Sequence, residues 1–269
     1  MAAAEGVTQA AVPVRRGESV TLVRVAIALA ILVAWEALAR SGLLFRDVVP
    51  SLVAIGGALA SELGRADFYR NLGWTAFEVV SALAIGATSG LVAGIVLGAN
   101  RFISRAYEPF LYYLGPTPKI IFFPVMIMWF GVGAGSKVAL GAISCFFPVA
   151  LSVAAGMRQI DGVLIRVGQS LRATPWQMST KIYMPAMRVP IVNGIRLGFG
   201  VAVIGTLLAE TKLSNRGIGY LITQAYSTFA MPRMYALLII LFVLAIGANA
   251  LIGRLGDRTA GARLLTGTP

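Results

Sequence analysis

The chain has 269 residues, of which 58% are hydrophobic and only 13% charged, with a formal charge of +12 and a mean hydropathy of +0.81. A water-soluble domain carries about 25% charged residues, so a soluble globular protein is excluded. The basic residues fall in short loops between apolar runs, the pattern of a membrane protein's inner loops and not of a nucleic-acid surface.

Lipid leaves only helices or closed barrels as spanning structures. Ten-residue alternating strands are absent, while runs of roughly 20 apolar residues recur. The expected fold class is therefore an all-α polytopic membrane protein with about six transmembrane helices. The single cysteine, Cys145, lies inside an apolar run, which excludes a disulfide framework and reads as a small buried hydrophobe. There is no histidine, so the commonest general base and neutral metal ligand are missing, and no metal site is expected.

In chain order, residues 1–20 read as a cytoplasmic tail containing Arg15 and Arg16. The first span covers about 21–39. Ala37-Leu38-Ala39 could pass for a leader cleavage site, but Trp35 and Glu36 spoil the region before it, and the run is long enough to span, so a retained helix is expected. With its outer loop this helix makes a unit of residues 21–49. Pro50 then opens a short amphipathic helix ending near Leu63. Further spans follow at about 74–99, 109–131, 137–157, 188–209 and 234–253, so that a transmembrane domain covers 50–256 and a second tail covers 257–269. Lys/Arg counts in the short loops put both termini and residues 158–188 on the cytoplasmic side.

Gly86, Gly90, Gly94 and Gly98 share one face of the second span, where they would let another backbone come close. Gly194 and Gly198 repeat the theme in the fifth. Pro116, Pro118 and Pro124 should break the third span and Pro148 the fourth. Ionisable groups at membrane depth are costly and become functional candidates; these are Glu36, Glu78, Lys119, Arg196 and Glu210. No phosphate-binding glycine loop, zinc helix motif, C-x-x-C or nucleophile elbow exists, so the chain should neither hold ATP phosphates itself nor act as an enzyme.

Residues 158–188 interrupt this apolar sequence. Val163, Val167 and Leu171 make a modest apolar stripe at four-residue spacing. Thr174-Pro175 fits a helix start, with Thr as cap and Pro at the first helical position, and a second short helix should run to about Tyr183. The expected result is a helix–turn–helix across the cytoplasmic face.

Leu171, Ala173, Pro175, Trp176, Gln177, Ile182, Met184 and Pro185 in this segment carry a resemblance. So do GPTPKIIFFPVMIMWFGVG (115–133), FFPVALSVAAGMRQI (146–160), GIRLGFGVAVIGTLLAE (194–210) and SNRGIGYLI (214–222). The chain resembles the permease subunits of binding-protein-dependent ABC importers, in the subgroup that imports nitrate, sulfonates, taurine, bicarbonate and pyrimidine precursors. It departs at two diagnostic positions. Arg166-Val167-Gly168 stands where the family has E-A-A, and Arg172 stands where it has glycine. Drift around a working contact, adaptation to a partner ATPase with a more acidic groove, and weakened coupling all remain open.

The resemblance implies a type-I importer-like permease of the bacterial inner membrane. Its partners would be an ATP-binding subunit, a second copy or a related permease, an external solute-binding protein and membrane lipid. ATP and Mg would bind the partner ATPase, with no cofactor in this chain. Arg166, Gly168, Leu171, Arg172, Trp176, Ile182 and Pro185 would form the ATPase-coupling segment. Pro118, Lys119, Arg196, Glu78 and Glu210 would be candidates for a pathway carrying a small anion. A self-sufficient channel or ion-coupled secondary transporter, using Glu78 or Glu210, is the alternative.

Overall fold

A computed structural model describes residues 16–43 and 48–261, with side chains from residue 20 to 256. The tail through Arg15, the loop charges Arg46 and Asp47, and the end of the chain from 262, with Arg263, lie outside the described residues. All regular structure among the described residues is helical: α1 (Arg16–Arg40), α2 (Leu52–Leu63), α3 (Ala66–Ala99), α4 (Arg101–Leu114), a 3₁₀ turn (Lys119–Phe122), α5 (Phe123–Phe130), α6 (Ala134–Arg158), α7 (Gly162–Ser170), α8 (Pro175–Gln177), a π turn (Met178–Tyr183), α9 (Met184–Ala186), α10 (Arg188–Lys212), α11 (Ile218–Ser227) and α12 (Met231–Gly261). Five helices are long and apolar enough to cross a bilayer: Val20–Arg40, Ala66–Ala99, Ala134–Arg158, Arg188–Lys212 and Met231–Gly256. Arg101–Leu114 and Lys119–Phe130 together supply a sixth crossing, bent by 92°.

Contacts divide the chain into Met1–Gly56 and Gly57–Pro269. In the first unit, the Trp35 indole donates to the Pro50 carbonyl at 3.1 Å. Glu36, a candidate from the sequence, pairs with Arg40 at 2.7 Å and accepts the Leu52 amide at 2.9 Å. Its charge therefore caps the start of α2.

In the second unit, α6 lies between α3 and α10. The glycines of α3 set the first of these contacts. A Cβ on Gly86 would lie 2.5 Å from the Ala142 carbonyl oxygen, one on Gly90 2.8 Å from that of Phe146, and one on Gly94 2.6 Å from Val153 Cβ. One on Gly98 would strike the Met157 side chain. On the other side of α6, a Cβ on Gly198 would lie 2.8 Å from Cys145 Sγ, and one on Gly194 3.0 Å from Ser152 Cβ. In lipid, where apolar burial does not separate helix from solvent, such close van der Waals approach drives helix association. Cys145, Val149, Val153, Met157, Met187 and Ala202 form the buried core of this sandwich. Phe68, Ile218, Leu221 and Leu237 form a second core joining α3, α11 and α12.

Several boundaries differ from expectation. The third crossing is not one helix over 109–131: it starts at Arg101 and breaks at residues 115–118. Pro116 and Pro118 remove two backbone donors within three residues, and the chain leaves helical geometry at Pro118, whose ψ is 99°. Pro124 does not break the span; it sits in the first turn of α5, where its missing N–H costs nothing. Pro148 does not break α6, which runs unbroken from Ala134 to Arg158. A lone proline removes one bond, which a helix enclosed by neighbours tolerates. α3 begins eight residues before the expected start, because Asp67 and Arg70 pair at 2.6 Å and Asn71 donates to the Asp67 carbonyl at 2.8 Å, keeping a polar first turn helical. α11 was not foreseen.

Candidate functional site

The segment between α6 and α10 is a rigid module. Asp161 caps α7 by accepting the Val163 amide at 2.8 Å. At the other end of α7 the Arg172 amide donates to the Gln169 carbonyl and the Ala173 amide to the Gly168 carbonyl, each at 3.0 Å. This is a Schellman termination with Arg172 at the left-handed position, φ 50°. Glycine fits there without strain, so the departure at Arg172 falls on a turn-former. A capping box follows: the Gln177 amide donates to Thr174 Oγ1 at 3.3 Å, and the Thr174 amide donates to Gln177 Oε1 at 2.9 Å. The second helix runs on past Tyr183 to Ala186, widened into a π turn. Pro185 has no N–H for the carbonyl four residues back.

α7 rests on this π turn through Gly168, where a Cβ would lie 2.5 Å from both Ile182 Cδ1 and Met178 Sδ. The outward side carries Leu171 and Trp176, 75% and 76% exposed, beside half-exposed Val163, Leu164 and Val167. Arg166, Arg172 and Lys181 are exposed around them. The strip expected from sequence to be a modest apolar stripe is thus exposed, in a segment whose cations are exposed as well. The module leaves α6 and rejoins α10 at one point, where Gly156 lies so close to Pro190 that a Cβ would be 2.5 Å from its Cγ.

A cavity of about 260 Å³ opens where the third crossing breaks, between residues 115–120, Leu140 and Ser144 of α6, and Val201, Gly205 and Leu208 of α10. Pro118 and Lys119 line it, and Lys119 is the one charged residue among its described lining residues. The ammonium bonds the carbonyls of Gly115 and of Thr117 (3.2 Å) and lies 4.9 Å from the centre of the Phe147 ring. It thereby satisfies carbonyls that the break leaves without helical partners.

The remaining pathway candidates lie elsewhere. Arg196 packs toward α12, where a Cβ on Gly253 would meet its Cζ at 3.1 Å, and it does not line the cavity. Glu78 and Glu210 are fully buried at the opposite end of the bundle from the α7–α9 module. Glu210 accepts Thr75 Oγ1 at 2.7 Å and the Gly219 amide at 2.6 Å, while the Ile218 amide donates to Thr75 Oγ1 and the Gly217 amide to Asn71 Oδ1, each at 2.8 Å. Glu78 faces Lys137 at 3.6 Å, both wholly buried. Arg216 stacks over Trp74 at 3.6 Å. The cluster ties the loop before α11 to α3 and α10: Glu210 is held by internal hydrogen bonds, while Glu78 meets Lys137 by charge alone. Sequence reasoning missed Lys137, read as a loop charge. The available signal was register: Lys137 and Gly141 face Glu78 and Ala82 in the same small-residue stripe that seats α6 on α3.

Comparison with known proteins matches this architecture. SsuC of Bacillus subtilis strain 168, whose name assigns it to aliphatic sulfonates transport, is 29% identical over 84% of this chain and 79% of its own length. The taurine transport system permease protein TauC of Escherichia coli K12 is 29% identical over 78% of this chain and 77% of its own. A crystal structure of the inward-facing MetNI methionine ABC transporter superposes with a TM-score of 0.59 at 21% identity, covering 72% of this chain and 94% of the matched chain, which shows a shared fold. The family described as binding-protein-dependent transport system inner membrane component matches residues 86–261, from the glycine stripe of α3 through the broken crossing, the α7–α9 module and α12. The chain is a multi-pass membrane protein that belongs to this family, the permease subunits of ABC importers.

Proposed function

We propose that this permease passes a small anion, of the sulfonate class or similar, across a bacterial inner membrane, through the cavity at the broken crossing. The carrying observation is Lys119, the sole charge among the described lining residues of a cavity of about 260 Å³. A lone cation in a low-dielectric cleft favours an anionic solute electrostatically. The names of the two similar permeases, which specify aliphatic sulfonates and taurine, point the same way.

The chain works with partners. A cytoplasmic ATPase, which binds ATP and Mg and hydrolyses the ATP, docks on residues 158–188. Trp176 and Leu171 are its apolar anchors, Arg166 and Arg172 its charged rim, and Gly168, Ile182 and Pro185 hold the two helical pieces together. An external binding protein delivers solute, and a second copy or a related permease completes the pathway. Both termini are cytoplasmic. The transmembrane domain covers 50–256, with 1–20 and 257–269 as tails and 21–49 as a preceding span and loop.

Uptake of labelled taurine by proteoliposomes holding this permease, its ATPase and its binding protein tests the reading. ATP-dependent uptake is expected, with a fall of about tenfold for Lys119→Gln, the size of one lost charge contact. Uptake by this chain alone on an ion gradient would overturn the importer reading. Unchanged uptake by Lys119→Gln, or equal transport of a neutral solute, would overturn the anion reading alone.

A further inference from the structure

α4 presents most of its length outward, and its buried residue is Glu108. That carboxylate meets Arg158, the last residue of α6, in a two-pronged contact. Nη1 reaches Oε2 at 2.5 Å and Nη2 reaches Oε1 at 2.8 Å. Ser104 Oγ, one turn earlier on α4, donates to Glu108 Oε2 at 2.5 Å, and Arg158 Nη1 also reaches Ser104 Oγ at 3.2 Å. Paired N–H···O bonds between guanidinium and carboxylate fix orientation as well as distance, which a point charge does not.

The placement of this contact gives it a mechanical meaning. Arg158 stands three residues before Asp161, the cap of the α7–α9 module. Glu108 stands on the half of the broken crossing that ends at Gly115, where the cavity wall begins. Beyond the break, α5 packs on α6 and α10 through Phe123, Met126, Leu140 and Ala209. The α4 half also meets α3 near their junction, and is tied to α6 by the Glu108 contact near its middle. One half of the crossing is thus anchored to the bundle core, and the other carries a direct link to the root of the exposed module.

We propose that the Glu108–Arg158 fork is a strut that carries displacement of the α7–α9 module to α4 and so to the cavity at residues 115–119. The inference rests on the reading of that module as the ATPase contact. Arg158 and Glu108 are positioning residues: they touch neither solute nor nucleotide. When the module moves, the fork drags α4 as a rigid rod, and the Gly115–Pro118 break absorbs the change of angle. A bend already at 92°, with backbone carbonyls held by a flexible lysine side chain in place of helix bonds, is the compliant point of the crossing.

The test is a double-mutant cycle on the reconstituted transporter with its ATPase and binding protein. Glu108→Gln, Arg158→Gln and the double variant are compared for solute imported per ATP hydrolysed, for ATPase co-purification and for melting temperature. Each single variant should lower imported solute per ATP by about tenfold, a typical coupling energy between linked sites. The double variant should be no worse than either single, and ATPase co-purification should be unchanged. Arg158→Lys, which keeps the charge and loses the fork, should fall between wild type and Arg158→Gln; it also serves if a glutamine variant does not assemble. A wild-type solute-to-ATP ratio in the singles, or effects that add in the double, would overturn the strut. A purely structural contact would lower melting temperature and yield while leaving the ratio untouched, which also overturns it. Absence of ATP-driven uptake in the wild-type complex would instead refute the importer reading, and the strut with it.

Discussion

Gly94 offers a direct measure of how closely α3 and α6 must approach. A methyl group there would sit 2.6 Å from Val153 Cβ and 2.7 Å from the Ala150 carbonyl oxygen. Carbon atoms in ordinary contact stand about 3.5 Å apart, so the two helices would have to separate by roughly 0.9 Å. Neither obstructing atom is the end of a flexible chain, so neither can swing aside. Overpacking of this kind costs about 1–3 kcal/mol, against a gain of about 1 kcal/mol for alanine over glycine in a helix. Gly73, on the same helix, has nothing within 4 Å of an added Cβ, so Gly73→Ala receives the gain alone. The difference between the two variants isolates the clash. At about 2 kcal/mol it separates their melting temperatures by roughly 4–8 °C. Cys145 supplies the assay. It is the one cysteine of the chain, and it is wholly buried in the α3–α6–α10 core. A thiol-reactive fluorophore therefore reports the opening of that interface on heating. If Gly94→Ala melts at or above the temperature of Gly73→Ala, the close approach does not hold the bundle together.

Three other outcomes are expected. Arg172→Gly should relieve the left-handed backbone penalty, about 1 kcal/mol, and slow amide exchange at Ala173, whose amide closes the turn on the Gly168 carbonyl; faster exchange would contradict the strained Schellman turn. Lys137→Met should lower the melting temperature by stranding the Glu78 carboxylate in the interior, a loss of about 3–5 kcal/mol, with much of it recovered by adding Glu78→Gln; a wild-type melt for Lys137→Met alone would show that the pair is not a constraint. Trp176→Ala should weaken ATPase association by about 10–100-fold, as truncation of a central aromatic anchor does, and titration of the detergent-solubilised permease with its ATPase would reveal an unchanged affinity if the module docks elsewhere.

Class and span count were legible in the sequence, because hydrophobic length is a one-dimensional property: a run of apolar residues must cross lipid, and short charged loops must stay out of it. The Thr174-Pro175 helix start was legible for a similar reason, since the capping contacts join residues three apart. The glycine stripe from Gly86 to Gly98 announced a close helix contact by its four-residue spacing alone. Its partner face, Ala142 to Met157, appeared only when α6 was folded against it. Proline effects were legible in part. A cluster of two breaks a helix by removing donors locally, whereas the fate of a lone proline such as Pro148 depends on the neighbours that enclose it.

Charge was the least legible property. Glu78, Glu210, Arg196 and Lys119 look alike in sequence, each a costly ion beside apolar residues. Tertiary structure separated them by giving each its partner: Glu78 meets Lys137, Glu210 meets Thr75 and Gly219, Arg196 of α10 packs against α12, and of the four only Lys119 lines the cavity. Glu108 and Arg158, fifty residues apart, showed no pattern at all until α4 and α6 were side by side. The sequence by itself determined that this chain lives in the membrane, how often it crosses, and where a polar module interrupts the crossings, because those depend on local composition. Only the folded chain decided which buried charges are joints and which face an opening, because the energy of an ion in lipid is set by what stands within a few ångströms of it.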